Sequence, residues 1–212
     1  MLIDVVKEAI SSSREELGQR INMGFDIFSK EVFTIRCIQD SVLVRGVEEL
    51  KKWTGKSNAT IVYDSRVVPF THGEFFDAVK YKRNIAVVGF TKNGDVFGGF
   101  YSGAVINQDG LSLDPNIFIF SFESRGRCKT PQKFSVEESL RTLAFVAFYE
   151  DDQFGFIQFS VNNVGGFWLG NMSSLSFCYN LSQAFDGLMD TTLTGKDCDN
   201  HRCTRLMAIQ LS

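Results

Sequence analysis

Residues 84–101 read NIAVVGFTKNGDVFGGFY and contain two apolar runs joined by a short polar segment. The runs, Asn84–Thr91 and Val96–Tyr101, are rich in Val, Ile, Phe and Tyr, residues that favour strands. Between them the segment KNGD (92–95) places Asn-Gly where a tight turn needs positive φ angles. The stretch therefore predicts a β-hairpin, and the surrounding sequence repeats the same kind of pattern.

Similar β-rich runs occur on both sides of this hairpin. They are Thr60–Tyr63, Ile117–Phe122, Leu143–Tyr149, Phe154–Val161, Phe167–Leu169 and Leu206–Leu211. Phe118, Phe120 and Phe122 alternate with other residues and so share one face of a strand. Phenylalanine accounts for 21 of the 212 residues, and apolar strand faces of this kind form the core between two packed sheets. We predict an α+β fold, mainly β: a two-sheet antiparallel sandwich flanked by helices.

The first 53 residues have a different pattern. Ile3, Val6, Ile10, Leu17 and Ile21 recur at helical spacing, and a short helix is indicated before Gly55. We divide the chain into a helical N-terminal extension at 1–53 and a β domain at 54–212. The extension either packs on the main domain or pairs with a second copy to form a homodimer. A helix that pairs with a second copy usually keeps its apolar heptad pattern over three or four repeats, and this stripe does not. The pattern therefore favours packing on the main domain.

Helix signals inside the β domain are few. Thr71 and Glu74 form a capping box ahead of an apolar run, and 137–141 indicates a short helical turn. His72 lies in the capping box, where we expect an exposed first-turn residue. Gly98 and Gly99 do not match a nucleotide-binding glycine motif, so we expect them to permit a bend or a close approach of neighbouring backbone.

Composition excludes several classes of protein. Lys and Arg number 22 against 25 Asp and Glu, giving a net charge of −3, with 44% hydrophobic and 22% charged residues. These values exclude a disordered chain, a collagen-like chain and a small disulfide scaffold. The five cysteines form no C-x-x-C pair, and the sequence has neither a secretory h-region nor an apolar run of about 18 residues. We expect an intracellular protein with reduced thiols and no membrane segment.

The eight residues Lys196–Cys203 (KDCDNHRC) concentrate reactive side chains. Cations at Lys196, His201 and Arg202 favour the thiolate of Cys198, which would then act as a nucleophile. A loop in which cations surround a cysteine is typical of a catalytic site. In this interpretation Lys196 lies beside the Cys198 thiol and favours its thiolate.

The same eight residues allow two other interpretations. His201 and Asp199 are weak candidates for metal ligands, because the spacing from Cys198 to Cys203 fits no zinc motif. The alternative that composition favours is a polar loop before the last strand, with Cys203 turned inward.

A second cluster, RGRCKTPQK (125–133), carries four cations and no acidic residue: Arg125, Arg127, Lys129 and Lys133. These side chains, with backbone N–H groups around Gly126, are the best candidates for binding phosphate. The alternative is a solvated loop between strands. Because the whole chain is at −3, any affinity for DNA must come from such a local basic edge.

Six strings occur in an order that resembles a known family. They are IVYDS (61–65), FTHGEFF (70–76), VFGGFYS (96–102), DPNIFIFSF (114–122), GFWLGN (166–171) and CTRLMAIQL (203–211). Together they resemble the TLD (TLDc) domain family, most closely its amoebic branch, over roughly residues 50–212. The resemblance implies two antiparallel sheets packed as a sandwich with flanking helices.

The family includes oxidation-resistance proteins, some of which engage the vacuolar proton pump, and amoebic transcription regulators that bind short promoter motifs. The usual E-V-W-like ending is here MAIQ (207–210), which argues against binding to the pump. The resemblance implies an NAD-responsive regulator in nucleus and cytoplasm that binds promoter DNA. Arg125, Arg127, Lys129 and Lys133 are the residues that we assign to DNA.

The amoebic resemblance also implies nicotinamidase-type activity on nicotinamide or NAD. Nicotinamidases use a Cys nucleophile, an Asp base and a Lys, for which Cys198, Asp197 and Lys196 match in kind. The two-histidine metal motif of nicotinamidases is absent from this sequence, so we do not expect a bound metal. A cysteine-dependent amidohydrolase is therefore the first alternative function, and a protein-interaction domain of the oxidation-resistance kind, acting in oxidative stress, is the second.

Overall fold

The computed structural model describes residues 41–150, 155–171, 173, 176–195 and 202–212. The chain divides into two compact units, residues 1–41 and 42–212, and the account below concerns the second. The predicted helical stripe at residues 3–21 lies outside the described residues. The dimer contact was assigned to the whole extension, residues 1–53, of which 41–53 are described, and it stays a prediction.

The described chain is built mainly from strands. In chain order they are β1 (Ala59–Asp64), β2 (Ile85–Thr91), β3 (Val96–Tyr101), β4 (Leu111–Leu113), β5 (Phe118–Glu123), β6 (Gln132–Ser135), β7 (Ala144–Phe148), β8 (Ile157–Val161), β9 (Gly165–Leu169), β10 (Cys178–Tyr179) and β11 (Cys203–Leu211). They form a six-stranded sheet, ordered β1-β11-β2-β3-β5-β6, and a five-stranded sheet, ordered β10-β9-β8-β7-β4. Every pairing is antiparallel. The predicted mainly-β fold with two antiparallel sheets is confirmed.

Short helices flank the sheets. They are α1 (residues 41–54), α2 (His72–Val79), a 3-10 helix (Glu138–Leu143) and α3 (Leu181–Ala184). Helix α1 ends as predicted at Gly55, whose φ is +68°, and the Lys56 N–H donates back to the Lys51 carbonyl at 3.1 Å. Among the described residues, no helix combines the length and the apolar character that crossing a membrane requires.

Helix α2 begins at the predicted N-cap, where the Thr71 hydroxyl accepts from the Glu74 N–H at 3.4 Å. We predicted that the next residue, His72, is exposed. This prediction was wrong, because His72 is buried, with 5% of its surface exposed. Its ring centroid lies 3.9 Å from that of Phe156. The sequence predicts where the helix begins, but it does not predict which residues pack against the first turn of the helix.

The β2–β3 hairpin forms where it was predicted, but its turn differs in detail. The Gly94 N–H donates to the Thr91 carbonyl at 3.1 Å, and the Thr91 N–H donates to the Asp95 carbonyl at 3.0 Å. Gly94 has a φ of +90°, whereas Asn93 keeps a negative φ. The loop is therefore a three-residue connection with one left-handed glycine.

The core between the two sheets is aromatic. The Phe159 and Phe167 rings stack with centroids 5.3 Å apart, and Phe97 meets Phe167 edge-on at 5.8 Å. A Cβ built on Gly99 would lie 2.6 Å from the Phe159 ring. Gly99 thus lets β3 lie against a side chain of the facing sheet, whereas the close approach of neighbouring backbone that the sequence indicated occurs at Gly98, where a Cβ would overlap the Val87 carbonyl oxygen.

A second apolar layer lies on the other face of the six-stranded sheet. Phe118, Phe120 and Phe122 pack there under helix α1, and the Trp53 ring is within 6.4 Å of each of theirs. Our assignment of these phenylalanines to the core between the sheets was therefore wrong. Residues 42–53, which we placed in the N-terminal extension, pack against the sheet, so the unit has three layers.

The C-terminal strand β11 lies between β1 and β2. Its Arg205, 6% exposed, donates to both Asp64 oxygens, with Nε to Oδ1 at 3.0 Å and Nη2 to Oδ2 at 2.6 Å. Burial alone would raise the pKa of Asp64. The hydrogen bonds from Arg205 and from the Arg66 N–H, together with the Arg205 charge, outweigh burial and leave that pKa below its ordinary value.

Candidate functional site

The predicted DNA-binding residues lie on the β5–β6 hairpin, and β6 is the terminal strand of the six-stranded sheet. The hairpin loop opens with a tight turn, in which the Arg127 N–H donates to the Ser124 carbonyl at 3.2 Å. Arg125 and Gly126 at its centre have φ angles of +53° and +88°, as in a type I′ turn. Arg125 is thereby exposed at the tip of the turn.

Most backbone amides of this turn already have partners inside it. The Ser124 and Arg125 N–H groups donate to Glu123 Oε1 at 3.0 and 2.8 Å. The Cys128 N–H donates to the Ser124 hydroxyl at 2.5 Å. Most of the backbone N–H groups that we expected to contact phosphate therefore already donate to other acceptors. Binding of an anion at this turn would depend mainly on side chains.

Arg127 points inward. Its Nη2 lies 2.5 Å from Oδ1 of Asp95, a residue only 2% exposed. The same guanidinium donates to the Thr192 carbonyl at 3.0 Å and to the Leu193 carbonyl at 2.9 Å. These donors tie the hairpin to the β2–β3 turn and to the segment before residue 196, so the Arg127 guanidinium is engaged inside the structure and its assignment to DNA binding stays a prediction.

The other two cations of the hairpin are exposed. Lys133 lies on β6, with its Nζ 4.4 Å from the centroid of the Phe118 ring. Partial burial and the nearby Arg141 charge both lower the pKa of Lys133. Lys129 lies in the loop that precedes β6. Arg125, Lys129 and Lys133 therefore remain as the exposed cations of the predicted cluster.

Two carboxylates of α1, those of Glu48 and Glu49, face the same hairpin loop across a shallow depression that Thr130 also lines. Both are paired within their own helix, Glu48 with Lys51 at 2.6 Å and Glu49 with Lys52 at 2.7 Å. Because each charge is already partnered, these carboxylates reduce the local positive potential only in part.

A cleft of about 360 Å³ opens beside Lys133. It lies where the end of α1, the end of β3, the start of β5 and strand β6 meet. The described residues that line it include three cations and no Asp or Glu. The lining residues are Trp53, Thr54, Lys56, Asn84, Phe100, Ser102, Pro115, Asn116, Ile117, Phe118, Lys133, Ser135, Val136 and Arg141.

The rim of the cleft is organised by Asp114, which is 4% exposed. Its carboxylate accepts from the Ser102 N–H at 2.5 Å, the Gly103 N–H at 3.1 Å and the Asn116 N–H at 2.9 Å. The Ser102 hydroxyl also lies 3.0 Å from Oδ1 of Asp114. The buried carboxylate thus joins the end of β3 to the turn before β5.

Sequence reasoning named one cation of the cleft, Lys133, and missed Lys56 and Arg141. These three residues come from distant parts of the chain, after α1, on β6 and in the 3-10 helix. Neither Lys56 nor Arg141 belongs to a local motif. Only the packing of the three elements brings them together.

The predicted catalytic residues Cys198, Asp197 and Lys196, and the weak metal candidates His201 and Asp199, lie outside the described residues. Their roles stay predictions.

Cys203, at the start of β11, is fully buried, as the loop interpretation predicted. Burial raises its pKa to about 12, against a smaller opposing effect of a hydrogen bond with the Gly170 backbone. This thiol is therefore not a nucleophile near neutral pH. In the described ranges, no three His, Cys, Asp or Glu side chains come together as metal ligands.

Comparison with known proteins identifies no family. No protein-family model matches the chain, and no curated protein matches it significantly. The fold and the site define a two-sheet sandwich that carries exposed cations and a cationic cleft at one sheet edge. The resemblance to the TLD family rests on the six quoted strings and stays a prediction.

Proposed function

We propose that the protein is a TLD-type transcription regulator that binds a short promoter DNA motif through its β5–β6 hairpin. The observation that carries the proposal is the set of exposed cations on that hairpin, Arg125, Lys129 and Lys133. The segment between Ser124 and Lys133 contains no acidic residue. Cationic side chains on an exposed edge are the usual contacts to DNA phosphates.

The rigidity of the hairpin loop supports this role. The type I′ turn at 124–127 and the inward Arg127 hold the loop to two other parts of the unit. A loop that is ordered before binding loses little conformational entropy when DNA arrives. Arg127 therefore contributes indirectly, by holding the exposed cations in place.

The number of cations sets the expected salt dependence. Three neutralised phosphates correspond to a slope of about −2.7 in log K against log salt concentration. That slope is shallow for a DNA-binding protein, as expected for a chain whose net charge is −3. Sequence selectivity must then come from contacts to base edges or from DNA shape.

The test is a gel-shift titration with a pool of short randomised DNA duplexes at several salt concentrations. The variant Arg125→Ala/Lys129→Ala/Lys133→Ala should lose binding, with a slope closer to zero by about two to three units. A charge-matched control, Arg66→Ala/Lys80→Ala/Lys92→Ala, removes three cations that lie away from the hairpin. An unchanged slope in the first variant, or an equal loss in the control, would contradict the proposal.

The response to NAD and the amidohydrolase alternative remain predictions. Adding NAD to the same titration measures the first. Release of ammonia from nicotinamide, compared between the wild type and Cys198→Ala, measures the second. Equal rates in the two proteins would remove Cys198 from any such mechanism.

A second candidate function, protein interaction, is favoured by the edge strand β4. Leu111 and Leu113 lie on one face of that strand and are 64% and 66% exposed, and exposed apolar edges are typical of contact surfaces. Lysine at both positions should abolish capture of a partner that the wild type retains, while the DNA gel shift stays the same. Capture that persists in this variant would contradict the candidate.

A further inference from the structure

The cleft beside Lys133 has the size of a small-molecule site. Its volume is about 360 Å³, at the lower end of the range usual for ligand pockets. Trp53 and Phe118 provide aromatic surface, and Asn84, Ser102 and Ser135 provide neutral polar groups. A few polar groups converging on a partly apolar cleft is the usual composition of a binding site.

The described charged residues that line the cleft are all positive. Lys56, Lys133 and Arg141 line it, and within the described part of the chain none of them is ion-paired. The Asp114 carboxylate, which joins the rim residues Ser102 and Asn116, is occupied by three backbone N–H groups and the Ser102 hydroxyl. Three cations that converge without a carboxylate repel one another, and an anion between them would relieve that repulsion.

The state of Lys133 agrees with this picture. Burial and the Arg141 charge both lower its pKa, so the protonated amine lacks a compensating negative group. A bound anion would oppose both effects by supplying a close opposite charge that favours the protonated amine.

The neutral groups of the rim are already oriented. The Ser102 hydroxyl lies 3.0 Å from Oδ1 of Asp114, and the Asn116 Nδ2 lies 3.3 Å from that hydroxyl. Helix α1 ends with the Gly55 cap, whose hydrogen bond from the Lys56 N–H to the Lys51 carbonyl fixes the backbone of Lys56. The cationic and polar groups thus stand on ordered elements.

We propose that this cleft binds a small phosphorylated molecule, with the phosphate among Lys56, Lys133 and Arg141 and an aromatic or apolar part against Trp53. A phosphate dianion suits three cations better than a single carboxylate does, because it carries more charge and more acceptor oxygens. The cleft shares Lys133 with the proposed DNA-binding cluster, but Lys56 and Arg141 lie outside that cluster, so variants at these two residues test the cleft separately from DNA binding.

Binding is measured by isothermal titration calorimetry of the full chain with phenyl phosphate, inorganic phosphate and phenol. Phenyl phosphate should bind saturably and more tightly than inorganic phosphate, and phenol should bind more weakly than both. The variant Trp168→Phe leaves Trp53 as the single tryptophan, and its fluorescence should change with the same saturation curve. Absence of saturable binding by both phosphates would overturn the proposal.

The matched variants are Lys56→Gln/Arg141→Gln and the control Arg66→Gln/Lys92→Gln, each of which removes two charges. Lys92 is exposed in the β2–β3 turn, whereas the cleft lies at the other end of those strands, near Asn84 and Ser102. Loss of two charge-assisted contacts should weaken phenyl phosphate binding by about tenfold or more for each cation. Equal affinity in the cleft variant and the control would overturn the assignment.

A competition experiment separates a free small phosphate from a DNA backbone phosphate. A short DNA duplex is added to the protein saturated with phenyl phosphate. Because Lys133 belongs to both proposed sites, some competition is expected in either case, and the variant decides: if Lys56→Gln/Arg141→Gln loses phenyl phosphate but leaves the gel-shift slope unchanged, the cleft takes a small molecule. If the duplex displaces phenyl phosphate, and the variant loses both ligands, the cleft belongs to a DNA surface and the small-molecule assignment is wrong.

Discussion

Substituting Arg127 should destabilise the fold, although its neighbour Arg125 can be replaced without cost. Arg127 pairs with an Asp95 that is 2% exposed and also donates to the Thr192 and Leu193 carbonyls. Without it, the Asp95 carboxylate loses the Arg127 charge, and the contact with the Thr91 hydroxyl, at 3.4 Å, is long and neutral. A charge left buried in this way typically costs about 3–5 kcal/mol of the free energy of unfolding.

The structure favours the lower end of that range, because the Arg127 side chain itself is 26% exposed. We therefore expect Arg127→Ala to lose about 3 kcal/mol, which corresponds to a fall in Tm of roughly 6–12 °C for a protein of this size. Arg125→Ala, at the exposed tip of the same turn, should change stability by less than about 0.5 kcal/mol.

The measurement is urea unfolding of both variants, supported by Tm from circular dichroism. The double variant Arg127→Ala/Asp95→Asn should recover part of the loss, since it removes the uncompensated charge. If Arg127→Ala is as stable as Arg125→Ala, the inward ion pair is not the function of Arg127, and this residue returns to the DNA-binding candidates.

Two further outcomes follow from packing and from charge. Gly99→Ala should lower the free energy of unfolding by about 1–3 kcal/mol, because the added Cβ would lie 2.6 Å from the Phe159 ring. The control Gly73→Ala, which has open space around the added Cβ, should be neutral or slightly stabilising. Urea unfolding of both variants measures the difference. The folded-state pKa of Asp64 is below its ordinary value of about 3.9, so its pairing with Arg205 stabilises the fold above that pH and is lost as the pH falls through the folded value. The stability difference between wild type and Asp64→Asn, measured by urea unfolding from pH 7 to pH 3, should therefore shrink only below about pH 4, and a difference that does not change with pH would contradict this account.

The long strands were predictable because their side chains carry the signal. Runs such as Val96–Tyr101 contain several β-branched or aromatic residues and end at turn residues, and the structure has a strand with the same bounds. Strands β4, β6 and β10 were missed, since they have only three, four and two residues. Strands this short are defined by a partner strand and not by their own composition.

The layer that covers a strand face was not predictable. Alternation correctly placed Phe118, Phe120 and Phe122 on one face, but nothing local distinguishes a facing sheet from a facing helix. The deciding contact is with α1, where a Cβ on Gly46 would lie 2.3 Å from the Phe122 ring. That close approach depends on a residue far away in sequence.

The candidate site shows the same limit. Arg125 and Arg127 are two residues apart in one basic run, yet one is exposed and the other is held by Asp95, 32 positions away. Sequence composition identified the charged segment, and long-range packing decided which cations remain available. The cleft cations Lys56 and Arg141 had no local signal for the same reason.

The central place of β11 also determines when this unit can fold. Its two neighbours, β1 and β2, are made early, yet the strand that joins them is synthesised last among the described elements. The Asp64–Arg205 pair closes a separation of 141 residues. Until β11 emerges from the ribosome, β1 and β2 expose unpaired edges, so the six-stranded sheet can close only after residue 211 is available, and these long-range pairings make folding slow. A nascent chain arrested before residue 203 should therefore be sensitive to proteases and prone to aggregation.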